Sequence, residues 1–392
     1  MIKIVFSEEF CQPENLFPFT LTRQIQDIRV GILTIREKWE FLLGYPSFDK
    51  KEDDYKDLDR SLDIENSIGQ DEYILIHGNV LPTARLVRAA ARLRSGEFIS
   101  VNDQAGVIFR ISRKEVQEPH KIKMSRAIPV KEQVNTLQYP WDIFRLNDTC
   151  LRLDFELLTA GRKSQPLSRT NRIVHPSRVF VEEGAQVEHS ILNASEGPIY
   201  IGRHAQVLEG CLIRGPFALG EGACLKMGTR IYGATTVGPY CVVGGEVKNS
   251  VLFGFSNKAH DGYLGDSVIG EWCNLGAGTT NSNLKNNASE VRVWTRQGEL
   301  NAGMKCGVMM GDYSRTAINT AINTGTVIGV CCNVFGEGLT PKYIPNFSWG
   351  SEGLKRYDLE KALLDIADWK RFKGQALTDN EQTILQYIYQ HY

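Results

Sequence analysis

Arg230 and Lys248 are spaced by three times six in the sequence, His260 and Tyr263 follow, and beyond them come Asn274 and the amide-rich run NSNLKNN from Asn281 to Asn287. Two cations brought close together repel unless an anion sits between them, and a phosphate suits an Arg fork beside a Lys point charge. A histidine titrates near neutrality and can take a proton from an amine attacking a thioester. Neutral amides and a phenol suit sugar hydroxyls. Together these residues suit a phosphorylated, hydroxyl-bearing ligand with a proton-accepting base beside it. The plain alternatives are two solvated corner cations pointing apart and one exposed loop histidine.

The elements that must position them show in a repeat. Every sixth residue from 201 is a branched aliphatic: Ile201, Val207, Ile213, Leu219, Leu225, Ile231, Val237 and Val243. Four residues after each stand Ala205, Cys211, Phe217, Ala223, Thr229, Thr235, Cys241 and Val247, which are mostly small. Gly202, Gly220, Gly238 and Gly244 follow the aliphatic where a corner needs a permissive backbone. A short fixed period is the signature of a solenoid, and a period of six predicts a left-handed parallel β-helix. Three units make one coil, so residues three units apart, Arg230 and Lys248 among them, are expected to stack about 4.8 Å apart. The phase returns at Ile269 and Leu275, and again at Met310, Thr316, Ile322, Ile328 and Val334. Asn249 to Asp266 breaks it and is expected to bulge as a loop on a rigid scaffold, where binding and catalysis concentrate.

The rest of the 392-residue chain divides around this repeat. Residues 1–165 alternate strand-like runs (Ile2 to Phe6, Tyr73 to Ile76, Phe98 to Val101) with helical stretches (Thr34 to Leu43, Ala84 to Leu93), predicting an α/β, Rossmann-like layer. Glu52 to Asp63 is highly charged and reads as a solvated loop. The β-helix is assigned to 166–340. In 341–392, Asp358 to Phe372 is an amphipathic helix, and Thr378 with Glu381 makes a capping box for a second one; the pair is expected to cap the open end of the solenoid. A net charge of -1 argues against a nucleic-acid partner, and no apolar run approaches the roughly 18 residues that span a membrane. The N-terminus reads as a first strand, not a signal peptide. The nine cysteines, without a CxxC pair, read as small core residues of a protein in a reducing cytoplasm, with no metal expected.

The stretch KNSVLFGFSNKAHDGYLGDSVIGEWCNLGAGTTNSN closely resembles the acetyltransferase half of the bifunctional N-acetylglucosamine-1-phosphate uridylyltransferase/glucosamine-1-phosphate acetyltransferase family, whose pattern is KNS…KAxHxxYLGDxxIGxxxNIGAGTxxxN. The resemblance covers residues 200 to 285 and implies a left-handed β-helix, a homotrimer, and acetyl-CoA as co-substrate. It places the catalytic base at His260, sugar-phosphate ligands at Arg230, Lys248, Tyr263, Asn274 and Asn283, and an acetyl-CoA contact at Ala277. The loop before His260 is one residue shorter than in the family, Lys285 is only a candidate for a further substrate lysine, and Asp312 lies where a Ser is expected.

LFPFTLTRQIQDIRVGILTI, from Leu16 to Ile35, resembles the part of the nucleotidyltransferase signature after its Gly-rich loop. That loop is replaced by SEEFCQPEN, Gln24 takes the usual Lys position, and His77-Gly78-Asn79-Val80 stands where Gly-Asp-Val would help hold Mg²⁺; Asn is a poorer hard-cation ligand. Pro140 to Phe144 with Asn147 looks like a linker-side element. The first half thus resembles a divergent sugar nucleotidyltransferase, acting through Arg23, Arg29, Lys38 and Asn79 on UTP or dTTP, with Mg²⁺ if nucleotidyl transfer is retained, or else reduced to binding. Three readings follow: acetylation of an amino-sugar phosphate on the β-helix with nucleotidyl transfer in the first half, a nucleotidyltransferase whose β-helix only trimerises, and a non-catalytic sugar-nucleotide-binding scaffold.

Overall fold

The computed structural model describes residues 2–49, 72–101, 106–112, 115, 126–131, 133–353 and 355–392. The charged run Glu52 to Asp63 lies outside them. Two compact units divide the chain: Met1–Leu16, Arg23–Ile28 and Leu33–Gln138 form one, and Phe17–Thr22, Arg29–Ile32 and Tyr139–Tyr392 the other. The first unit ends at Gln138.

In the first unit β1 (Lys3–Ser7), β2 (Ser47–Asp49), β3 (Glu72–His77), β4 (Glu97–Val101), β5 (Ile108–Ser112) and β6 (Arg126–Val130) form one mixed sheet in the order β2-β1-β3-β5-β4-β6. β1 lies parallel to β2 and β3, and β5 runs antiparallel to β3 and β4. Val5, Tyr73, Leu75, Phe109 and Ile111 pack one face of it. Helix α1 (Ile35–Leu43) starts on a capping box between Thr34 and Glu37 and ends at Gly44, whose φ of 72° an L side chain rarely adopts. Helix α2 (Ala84–Arg92) buries Leu86, Val87 and Ala90 and leaves its arginines outward. The expected α/β layer is present.

The second unit is a parallel β-helix of three ladders, six, nine and eight strands deep. The eight aliphatics from Ile201 to Val243 all lie in one buried core, with Ile269, Leu275, Met310, Ile322, Ile328 and Val334. The eight residues four places after those from Ile201 to Val243 are buried too. A strand here shows one side chain in and its neighbours out, so a single aliphatic per unit is enough to fill the interior. All nine cysteines are free, and Cys150, Cys211, Cys241, Cys273, Cys306, Cys331 and Cys332 are buried as core residues.

The coil length is not constant. Leu225 pairs with Val243, three full units on, whereas Ile231 pairs with Val247 instead of Asn249, and Val237 with Leu252 instead of Phe255. The shortening starts at Gly244-Gly245, because Val243 and Val247, both inward, are four places apart rather than six. Asn249 to Asp266 is consequently no bulge. It is a regular coil contributing Val251–Gly254, Asn257–Lys258 and Tyr263–Gly265 to the three ladders. The real insertion is later: Ile269 pairs with Met310 rather than with Asn287, and the intervening chain holds an antiparallel hairpin of Arg292–Thr295 and Gly298–Asn301.

Three other pieces brace the β-helix. The helix Pro140–Thr159, which begins in the PWDIF segment, meets Ala234 O and Thr236 Oγ1 through Asn147, and Asn147 also accepts from Gly31 N. The helices Leu359–Phe372 and Asp379–His391 form at their predicted caps, Asp358 and Thr378. They run down the flank rather than only closing an end. Tyr389 packs edge-on against Phe347, Arg315 reaches Asp365 O, and Lys373 Nζ donates to Tyr240 O, Phe255 O and Asn257 Oδ1. Among the described residues no helix is long and apolar enough to cross a membrane.

Candidate functional site

On one face of the β-helix the outward positions are Arg230 and Tyr232, then Glu246 and Lys248, then Tyr263 and Gly265 in successive strands. The shortened coil shifts the expected pairing. Arg230 faces Glu246, with 3.7 Å between guanidinium and carboxylate, and Lys248 faces Tyr232. Arg230 and Lys248 are diagonal neighbours on one surface, and the acid between them relieves part of their repulsion. Their sharing of a face survives; the direct stack does not.

Tyr263 continues this face, and the start of the insertion lays Asn283 over it, its Nδ2 3.0 Å from Tyr263 Oη. Burial first, then the nearby Asp266 carboxylate, push the phenol up to about 12, so it stays protonated at neutral pH. Lys285 is half-buried on the same insertion.

His260 occupies the corner entering this face and is exposed. Ala277 stands at the same corner one coil further on, where Gly278 N donates to Asp261 O. The preceding corner is Gly244-Gly245. A Cβ on Gly244 would lie 2.4 Å from Ala259 O, and one on Gly245 2.7 Å from Gly262 O, so two glycines let the His260 corner sit this close. Asn274 is on a different ladder, between Asn257 and Arg315, both of which are engaged by the C-terminal helix. Arg230, Lys248, Tyr263 and Asn283 are thus brought together beside His260, and Asn274 is separated from them by the corner.

Two charged residues escape sequence reasoning. Lys258 takes the inward position that Val243 and Leu275 hold in the neighbouring coils; it is 2% exposed, and its ammonium donates to His260 O. Asp266 is buried and accepts from Asn249 and Asn283. The available signal was the acid of YLGD; Lys258 lies fifteen places after Val243 and falls off the six-residue count.

In the first unit the ends of β1 and β3 lie side by side, the usual place for a ligand on an open α/β sheet. Here Glu8 accepts from Ile25 N where the Gly-rich loop is missing, and Glu9 follows. Carboxylates repel a triphosphate that backbone N–H groups would hold. His77 is stacked 5.1 Å from Phe10; burial pushes it down to about 4, leaving it neutral. Asn79 donates to Leu137 O, and Lys38 is buried along α1. Arg23 is half-buried. Arg29 belongs to the second unit and donates to Phe253 O, which removes it from this set. The Asn79 tie uses Nδ2 and leaves a neutral amide oxygen, a poorer hard-cation ligand than a carboxylate, and among the described residues no cluster of three acidic, His or Cys side chains could hold a metal.

The chain is similar to known proteins. Residues 4–163 match the sugar nucleotidyl transferase family. The chain is 40% identical over 91 residues to the bifunctional sugar-1-phosphate nucleotidylyltransferase/acetyltransferase of Sulfurisphaera tokodaii, covering 23% of each chain. It is 36% identical over 87 residues to the bifunctional protein GlmU of Methanocaldococcus jannaschii, covering 22% of this chain and 21% of that one. With the Synechococcus elongatus GlmU it shares 23% identity over 228 residues, 52% of this chain and 47% of the relative. It spans less than a quarter of the first two relatives' length and about half of the third's. The chain thus joins a segment matching the sugar nucleotidyl transferase family to a parallel β-helix, and over part of its length it is similar to bifunctional nucleotidylyltransferase/acetyltransferases.

Proposed function

We propose that the β-helix transfers an acetyl group from acetyl-CoA to the amine of an amino-sugar phosphate such as glucosamine-1-phosphate. The observation that carries this reading is the convergence of Arg230, Lys248, Tyr263 and Asn283 on one face beside the open His260 corner. Arg230 and Lys248 hold the phosphate, and Tyr263 and Asn283 hold the sugar hydroxyls. His260 takes a proton from the amine as its lone pair attacks the thioester carbonyl. A C–N bond forms, the C–S bond breaks, and the leaving thiolate receives a proton. Ala277, at the stacked corner, lies where the thioester end of the donor would approach His260. Asn274 orients the substrate from the far side of the corner. The working form is a homotrimer in the cytoplasm, as the family resemblance implies.

His260→Ala is expected to slow CoA release from acetyl-CoA and glucosamine-1-phosphate by about 10²–10⁴-fold, the usual share of a general base. An unchanged rate removes His260 from the mechanism. A second reading, nucleotidyl transfer in the first unit, is favoured by the family match over residues 4–163. Glu8 and the neutral Asn79 speak against it, and pyrophosphate release from UTP or dTTP with Mg²⁺ decides it.

A further inference from the structure

Asp266 is buried behind the solvent-facing ligands and holds one of them, Asn283, directly. The residue is 5% exposed. Asn249 Nδ2 donates to Oδ1 at 2.6 Å and Asn283 Nδ2 donates to Oδ2 at 2.5 Å. The backbone is fixed as well, Asp266 N donating to Lys248 O and Gly307 N to Asp266 O, with φ at 47°.

The polarity of this arrangement matters more than its strength. An asparagine amide presents two donors at one end and an acceptor at the other. A carboxylate accepts only, so it admits the NH₂ end of Asn283 and repels the Oδ1 end. With one hydrogen of Nδ2 on Asp266, the second points to Tyr263 Oη at 3.0 Å. The Tyr263 oxygen is thereby an acceptor within the protein, and its own hydrogen is turned outward. Asn283 Oδ1, with no protein partner among the described residues, is turned outward too.

We infer that Asp266 is a positioning residue that sets the hydrogen-bonding sense of the sugar site: by locking the Asn283 amide it makes Tyr263 a donor and Asn283 an acceptor toward substrate. This rests on the acetyl-transfer reading and adds to it the chemistry of the ligand at this point. Tyr263 meets an acceptor atom, a phosphate or ether oxygen, and Asn283 meets a donor, a hydroxyl or an amine hydrogen. Asp266→Asn lets the Asn283 amide turn over. Its Oδ1 then takes the Tyr263 hydrogen and the site loses the donor it offered, as it does in Tyr263→Phe.

The test measures kcat and KM for glucosamine-1-phosphate at saturating acetyl-CoA in wild type, Asp266→Asn, Tyr263→Phe and the double variant. Each single change is expected to raise KM about tenfold, the worth of one hydrogen bond to a charged group. The double variant is expected to be no worse than Tyr263→Phe alone. An unchanged KM in Asp266→Asn, or effects that multiply, overturns the inference. If wild type neither binds nor acetylates an amino-sugar phosphate, the functional reading fails, and the network is judged by thermal unfolding. The loss of melting temperature from Asp266→Asn should then shrink in an Asn283→Ala background to the part carried by Asn249; the same loss in both backgrounds overturns the positioning role.

Discussion

At the scale of single residues, the side chains that face outward were legible and those working behind them were not. Arg230, Lys248, His260 and Tyr263 are chemically conspicuous and stand together as expected, because a β-helix places neighbouring coils side by side. Lys258 was hidden because the shortened coil puts it fifteen places after Val243, off the six-residue count, so no inward position was expected there. An ammonium inside the β-helix is opposed by desolvation first, with Arg230 adding to the effect and Asp261 opposing it, and these lower its pKa from the ordinary 10.5 to about 8. The folded protein therefore binds this proton less readily than the unfolded chain. The penalty is fully present below pH 8 and is relieved as pH rises from about 8 to 10.5, so stability contributed by this site increases across that window. Lys258→Met should flatten this rise and raise the melting temperature at pH 7, measured by calorimetry between pH 7 and 10.5. If wild type and variant keep parallel profiles, Lys258 is charged and satisfied in both states.

At the scale of elements, the ladders were readable and their register was not. The aliphatic phase is imposed by an interior that admits one large side chain per unit, and no other element sustains it from Ile201 to Val243. Register depends on corner length, and Gly244-Gly245 shortens a corner without disturbing the inward sequence of branched side chains. The signal was there in Val247, an aliphatic four places after Val243. The same corner makes a prediction. Gly244→Ala would place a methyl group 2.4 Å from Ala259 O and displace the His260 corner, with Gly245→Ala doing so through Gly262 O. A shift of about 1 Å in a positioned base costs up to about 10²-fold in rate. The expectation is a fall in kcat with far-UV circular dichroism unchanged, while Gly228→Ala, where a Cβ meets nothing within 4 Å, is a control for backbone strain at a similar φ of 72°.

At the scale of the whole molecule, the division at Gln138 was not visible in composition. The segments Phe17–Thr22 and Arg29–Ile32 leave the first unit to pack with the second, where Thr22 Oγ1 donates to Asp312 Oδ2 and Arg29 to Phe253 O. Such captures depend on three-dimensional neighbours far apart in sequence, and no local pattern announces them. The C-terminal helices were found by their caps, but their path along the flank rests on Lys373 meeting three oxygens from two corners and Asn257.

The buried thiols bear on how such a molecule comes apart. Cys211, Cys241, Cys273 and Cys332 project into the interior in successive stretches of the β-helix, and burial pushes Cys241 and Cys332 up to about 12. A thiol held there reacts with an alkylating agent only after its coil opens. Because each coil is supported only by its neighbours and the flanking helices, opening should travel from an end. Cys211, outside the stretch between Tyr240 and Phe347 that the two C-terminal helices brace, should be modified before Cys241, Cys273 and Cys332 in a pulse-alkylation series read by peptide mass. Simultaneous labelling of all four would mean that the β-helix opens as one unit. These cysteines form a clock along the axis, written into the native sequence, that times the fraying of a solenoid without a single engineered probe.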